Sequence, residues 1–330
     1  MKVGNNMTRK IILDVDTGSD DAVAIMLAAL SKDIDLKAIC TVAGNQDIDS
    51  VTSNTLKVVD LLNMDIPVYR GCSYALVREV CPWRIEFENR ATAMVDGKEV
   101  RIHPDFVNLK ESKRQIEKIQ APIFYVNYLM GLEEKITLVC VGPLTNLATA
   151  LLIEPRIVEH IDEIVIMGGG HNESNASSSS EFNIFRDPEA AQRVFSCGVK
   201  ITLVPLDVTH RTYVTKTDLE RLKVLNNPCA DFAIKMCEQR ILIHNIRQPL
   251  AEIDACALHD PLCIAYLIDP SVLTDVRFLH VDISLTGLTD GQTVVDMRYF
   301  QDNRNCFYTF DGNRKKYFDI IVDAFKNASN

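Results

Sequence analysis

The chain holds a single tryptophan, and no two of its cysteines are spaced C-x-x-C. That absence removes the usual redox and zinc-ribbon signatures. The ten cysteines sit in apolar surroundings, as at Cys40, Cys140 and Cys263. This is the pattern of reduced, buried thiols in a cytoplasmic protein. No apolar run reaches the length of a membrane span, and MKVGNNMTRK has no apolar signal region, so neither a membrane nor secretion is expected. Basic residues are outnumbered: 35 Lys and Arg stand against 45 Asp and Glu. A formal charge of −10 argues against nucleic acid or an anionic membrane as partner.

What the chain does have is concentrated between Ile11 and Leu30, IILDVDTGSDDAVAIMLAAL. Ile11, Ile12 and Leu13 read as a buried strand. Asp14, Asp16, Asp20 and Asp21 follow, with Gly18 where the chain must turn. An Ala-, Leu- and Met-rich helix starts at Asp20. Helix capping would need one Asp, whereas four this close repel one another unless a positive charge sits among them. A divalent cation is the simplest source, and hard oxygen donors point to Ca²⁺ or Mg²⁺ rather than zinc.

Along the chain, strands are expected at 37–43, 66–69, 136–141, 164–167 and 201–206. Helices are expected at 50–63, 111–130, from Gly142-Pro143, from Asp187 to near Gly198, at 217–247, 261–267 and 317–325. A late antiparallel pair is expected at 276–285 and 292–298. Segment 72–109 loses the pattern and reads as a lid or binding loop, with a hairpin around Asp96-Gly97 and Trp83 in CPWR. Trp83 is equally readable as a pin that holds this loop to the core. Alternating strands and helices predict an α/β fold, a mostly parallel sheet with helices on both faces, spanning 1–330 as one domain. The polar residues of interest follow strands, where ligands bind in open α/β sheets. A cation there would suit hydrolysis of a ligand with vicinal hydroxyls.

Asp14 to Ala24, DVDTGSDDAVA, resembles the N-terminal signature of the inosine–uridine-preferring nucleoside hydrolase superfamily. TVAGN ending at Asn45, VGPLTN at Val141–Asn146, the stretch from Met167 to Ala191 and HDP at His259–Pro261 are similar to further motifs of that family, in the same order. The resemblance implies a single Rossmann-like domain, a bound Ca²⁺ and cleavage of the N-glycosidic bond of ribonucleosides in nucleoside salvage. It implies metal ligation by Asp16, Asp21, Asp260 and the Val141 carbonyl, a position that is commonly Thr in the family. Asp16 would also be the catalytic base. Asp20, Asn45, Met167, Asn175, Glu181 and Asn183 would hold or line the ribose, and Asp14 would orient the loop from behind. His259 would be the leaving-group acid. Trp83, Phe182 and His259 would form the base side.

The family's His-Gly-rich loop after the third strand is not found here, and Trp83 resembles the purine-specific branch. Purine ribonucleosides are therefore the expected substrates, with pyrimidine or mixed specificity as the alternative. A homodimer or homotetramer is expected. Two rivals remain. One is a phosphohydrolase of the haloacid-dehalogenase type, whose D-x-D-G-T order is reversed here to D-x-D-T-G. The other is a non-catalytic nucleoside sensor.

Overall fold

The computed structural model describes residues 8–84, 92–95, 97–103, 105, 107–298 and 302–328. Strand β1 (Arg9–Val15) leads through the acidic loop into α1 (Ser19–Leu30), then β2 (Ile34–Thr41), α2 (Ile48–Leu62) and β3 (Val68–Arg70). The hairpin β4 (Thr92–Val95) and β5 (Lys98–Arg101) lies where the sequence placed one; Asp96 and residues 85–91 fall outside the described residues. Next come α3 (Ala121–Met130), β6 (Ile136–Cys140), α4 (Thr145–Ile153) and β7 (Ile161–Met167). They are followed by α5 (Phe182–Arg186), α6 (Pro188–Phe195), β8 (Ile201–Val204) and α7 (Leu206–Thr209). Short strands β9 (Val214–Thr215) and β10 (Ala255–Cys256) bracket α8 (Lys216–Lys223) and α9 (Pro228–Arg247). Helix α10 (Pro261–Ile268), strands β11 (Leu273–Ile283), β12 (Thr293–Asp296) and β13 (Cys306–Gly312), and α11 (Arg314–Phe325) complete the chain.

One nine-stranded sheet runs in the order β12-β11-β13-β8-β7-β6-β1-β2-β3. From β13 to β3 every pairing is parallel, and only β11 and β12 are antiparallel. The inner strands are buried on both faces, so β6 reads Ile-Thr-Leu-Val-Cys without polar alternation. One core lies between the sheet and α1, α9, α10 and α11; the other packs α3, α4 and α6 against the opposite face. Some helix starts follow the chemistry of their caps. Asp47 accepts from Asp49 N and Ser50 N ahead of α2, and Asn227 accepts from Ala230 N ahead of α9.

Three expectations are corrected. Residues 111–120 are not helical: α3 starts only at Ala121, with Pro122 in its first turn, and Glu117 N donates to Val68 O beside β3. The helix expected over 217–247 is two helices, parted at Asn226, whose φ of 49° is left-handed, and restarted by Asn227-Pro228. The strand β13 was not expected at all, and it joins the antiparallel pair to the parallel sheet.

Candidate active site

The carboxyl ends of β1, β2, β6 and β7 open into a cavity of about 590 Å³. Asp16, Asp20, Asn45, Val141, Met167, Asn175, Glu181, Phe182, Asn183, His259 and Asp260 all line it, so residues more than 240 positions apart converge there. Asp21 lies directly beneath, fully buried. The acidic loop is held by its own backbone: Asp16 N and Gly18 N donate to the two oxygens of Asp21 at 3.1 and 2.9 Å. Asn45 N donates to Asp16 Oδ2 at 2.7 Å, while Asn45 Nδ2 reaches Asp16 O and Asp21 Oδ2. Gly44 is required by this approach, because a Cβ there would collide with Asp16 Oδ2. Asp14 sits behind the loop and accepts from Tyr125 Oη at 2.9 Å and from Asn146 Nδ2.

The far wall is built by the loop after β7 and by α5. Glu181 accepts from Gly169 N and Ile184 N on one oxygen and from Asn183 N on the other, so it caps α5 as well as facing the cavity. Gly169 has φ of 71°, the left-handed region, and so turns the chain toward Glu181. Asn183 Nδ2 donates to Val141 O at 2.8 Å and to Met167 O, and Asn175 Oδ1 accepts from Phe182 N. Each amide thereby keeps its other end, Asn183 Oδ1 and Asn175 Nδ2, for a ligand.

Charge is the dominant feature of the floor. Burial, then the neighbouring carboxylates, push Asp16 and Asp260 well above the usual range and Asp21 to about 6. Burial alone lifts Asp14 and Glu181 to about 7 against their hydrogen-bond donors. An anionic floor of this kind calls for a cation. Oxygens of Asp20 and Asp21 and a ring nitrogen of His103 come within 4.8 Å of one another. In that trio, however, His103 Nδ1 already accepts from Ser19 N, and Asp20 Oδ1 is already paired with an arginine. The oxygen-only set of Asp16, Asp21 and Asp260 fits a hard cation better.

Two groups in the cavity were missed by sequence reasoning. His103 lines it from the segment after β5. Burial pushes it down to about 4, so it is neutral there. Arg240, from the middle of α9, is 1% exposed and donates through Nη1 to Asp20 Oδ1 and Ser19 Oγ, both at 2.8 Å. Arg240, Ile243, His244 and Arg247 recur at helical spacing on the face that lines the cavity, a pattern that the sequence alone does not tell from an ordinary charged helix surface. His259 Nδ1 lies 2.7 Å from Thr209 Oγ1, its backbone N donates to Asp20 Oδ2, and burial and Arg240 keep its ring neutral.

Trp83 is not brought to this site. It is 79% exposed in the turn after Cys81, away from the cavity lining, and its neighbour Arg84 ties that turn to Glu189 and Leu285 O. Among the described residues, Phe182 and Tyr74 are the phenylalanine and tyrosine side chains that line the cavity.

Comparison with known proteins agrees with this architecture. A family model described as inosine–uridine-preferring nucleoside hydrolase matches residues 11–319. An inosine–uridine-preferring nucleoside hydrolase of Crithidia fasciculata is 42% identical over 88% of this chain and 89% of its own. The pyrimidine-specific ribonucleoside hydrolase RihA of Photobacterium profundum is 35% identical over 97% of this chain and all of its own (100%). Among solved structures, a purine-preferring ribonucleoside hydrolase from Gardnerella vaginalis superposes with a TM-score of 0.82 at 28% identity, covering 96% of this chain and 99% of that one. With a matching family model over nearly its whole length and relatives this similar, the chain belongs to the nucleoside hydrolase family and is a ribonucleoside hydrolase.

Proposed function

We propose that the protein hydrolyses ribonucleosides in a Ca²⁺-dependent reaction, with a base range that includes both inosine and uridine. The observation that carries this is the anionic floor of Asp16, Asp21 and Asp260 under a ring of amide and carboxylate groups. Those three carboxylates and the Val141 carbonyl would hold the ion. Bound there, Ca²⁺ would neutralise the floor, fix a vicinal diol and make a water more acidic. Asp16, its Oδ2 anchored by Asn45 N, would be the base that takes the proton from the attacking water. Asp20, Asn45, Asn175, Glu181 and Asn183 hold the ribose hydroxyls, and Met167 lines the sugar. As the C1′–N bond breaks, the sugar gains oxocarbenium character, which the surrounding carboxylates stabilise. His259 and Phe182, which line the same cavity, would face the base, with His259 as the leaving-group acid.

The purine preference expected from Trp83 draws no support from where that residue lies. Relatives of both base preferences favour the broader reading. The buried thiols, such as Cys40 and Cys140, pushed up by burial, suit a reducing cytoplasm. Nucleoside salvage by a homodimer or homotetramer remains part of the proposal. The test is a panel of purine and pyrimidine ribonucleosides with ribose release as readout, before and after chelation and Ca²⁺ reloading. Ribose release that is indifferent to thorough chelation overturns the metal assignment.

A further inference from the structure

Two bonds fix His259 ahead of α10. Its backbone N donates to Asp20 Oδ2 at 3.2 Å, and its ring nitrogen Nδ1 lies 2.7 Å from Thr209 Oγ1. Nε2 makes no bond to the described residues, and the residue lines the cavity, so that edge of the ring is left to a ligand. Thr209 is the last residue of α7, the short helix after β8, and it is fully buried. A helical threonine ordinarily returns its hydroxyl to a carbonyl one turn back. Thr209 has such an acceptor in Leu206 O, but at 3.4 Å, whereas 2.7 Å to Nδ1 is the usual length of a bond that a hydroxyl donates. The helix that carries this hydroxyl is held on two sides. Asp207 accepts from His171 N, in the loop after β7, and from Tyr308 Oη, on β13, both at 2.7 Å. A neutral imidazole has one ring proton. With Thr209 donating to Nδ1, that proton is on Nε2. A carbonyl or carboxylate in the place of Thr209 would hold it on Nδ1 and leave Nε2 with nothing to give.

We propose that Thr209 is a positioning residue for the reaction: its hydroxyl holds the His259 ring so that the proton on Nε2 is presented to the departing base. The inference rests on the ribonucleoside reading above, with His259 as the leaving-group acid. The C1′–N bond breaks with its electron pair going to the base nitrogen, which takes the Nε2 proton. Water adds its oxygen to C1′ and gives its proton to Asp16. The ring recovers a proton from solvent after the base has left. A hydroxyl both donates and accepts, so Thr209 keeps its bond to Nδ1 throughout, turning its own proton to Leu206 O whenever Nδ1 carries one.

The test compares Thr209→Val, which keeps the shape and loses the hydroxyl, with Thr209→Ser, which keeps the hydroxyl. The substrates are inosine, uridine and p-nitrophenyl β-D-ribofuranoside, whose nitrophenolate leaves without a proton. Thr209→Val is expected to lower kcat on both nucleosides by about 10–100-fold, part of the whole worth of a proton donor, with KM and the nitrophenyl riboside rate within about threefold. Thr209→Ser retains most of the nucleoside turnover. In a His259→Ala background Thr209→Val costs nothing further, because the group it positions is gone. Equal losses on all three substrates, or the same loss again in the His259→Ala background, overturn the proposal, because Thr209 then acts through the fold. No loss from Thr209→Val, or none from His259→Ala, overturns it as well. Should Thr209→Val fail to fold by circular dichroism, ¹⁵N NMR of the histidine rings in the wild-type protein decides: a proton on Nε2 of His259 supports the proposal and a bare Nε2 overturns it. A wild-type protein that releases ribose from neither nucleoside sinks the ribonucleoside reading itself, which is a separate outcome.

Discussion

At the residue scale, Asn175 and Asn183 each spend one end of the side-chain amide on the protein and keep the other for a ligand. Asn175 gives its oxygen to Phe182 N, and Asn183 gives its amide to Val141 O. Pre-oriented groups of this kind discriminate sharply, because a ligand that lacks a hydroxyl leaves them buried and unpaired. 2′-Deoxyinosine is therefore expected to fall below inosine in kcat/KM by about 10–100-fold or more, measured by base release at matched Ca²⁺. Asp16→Asn should leave the fold intact and cost about 10²–10⁴ in kcat, the usual worth of a general base. Unchanged turnover in that variant would remove Asp16 from the mechanism.

At the scale of elements, the turn that carries Trp83 is separable from the chemistry. Trp83→Ala is expected to leave kcat/KM for inosine and uridine within about twofold, since the side chain is largely in solvent. A selective loss of purine turnover would return the indole to the base side. The residues that the family motifs assign to metal and ribose do converge on the cavity or its floor, and they were legible in the sequence because they lie in ordered motifs, as Asp16 and Asp21 do after β1. Two further cavity residues, His103 and Arg240, were not legible. His103 arrives from an irregular segment whose path no periodicity reveals, and Arg240 sits in a helix that reads as an ordinary charged surface position. The inward turn of Arg240 depends on an acceptor, Asp20, that is 220 residues away. The strand β13 was missed for a related reason: its partners, β8 and β11, are set by tertiary pairing rather than by its own short alternation.

For the whole molecule, the buried acids tie stability to pH. Asp14 and Glu181 both titrate near 7 in the fold, above their unfolded values. The folded state thus binds more protons between about pH 4 and 7, so their contribution is fully present below that window and is lost as pH rises through 7. Thermal melts in chelator should show a lower Tm at pH 8 than at pH 5.5, with a slope of at most about 1.4 kcal/mol per pH unit per group. Glu181→Gln should flatten that slope; a slope unchanged by the substitution would place the titration elsewhere. The insertion of β13 between β8 and β11 has a further consequence, for biosynthesis. As the nascent chain emerges, β1 to β8 can pair in turn, but the apolar rim of β8 stays bare until residues 306–312 leave the ribosome. The hairpin of β11 and β12 waits beside it with nothing to dock on. A polypeptide stopped before Cys306 should therefore aggregate through β8 rather than persist as a smaller enzyme, and a soluble, monodisperse product from such a gene would contradict this order of assembly.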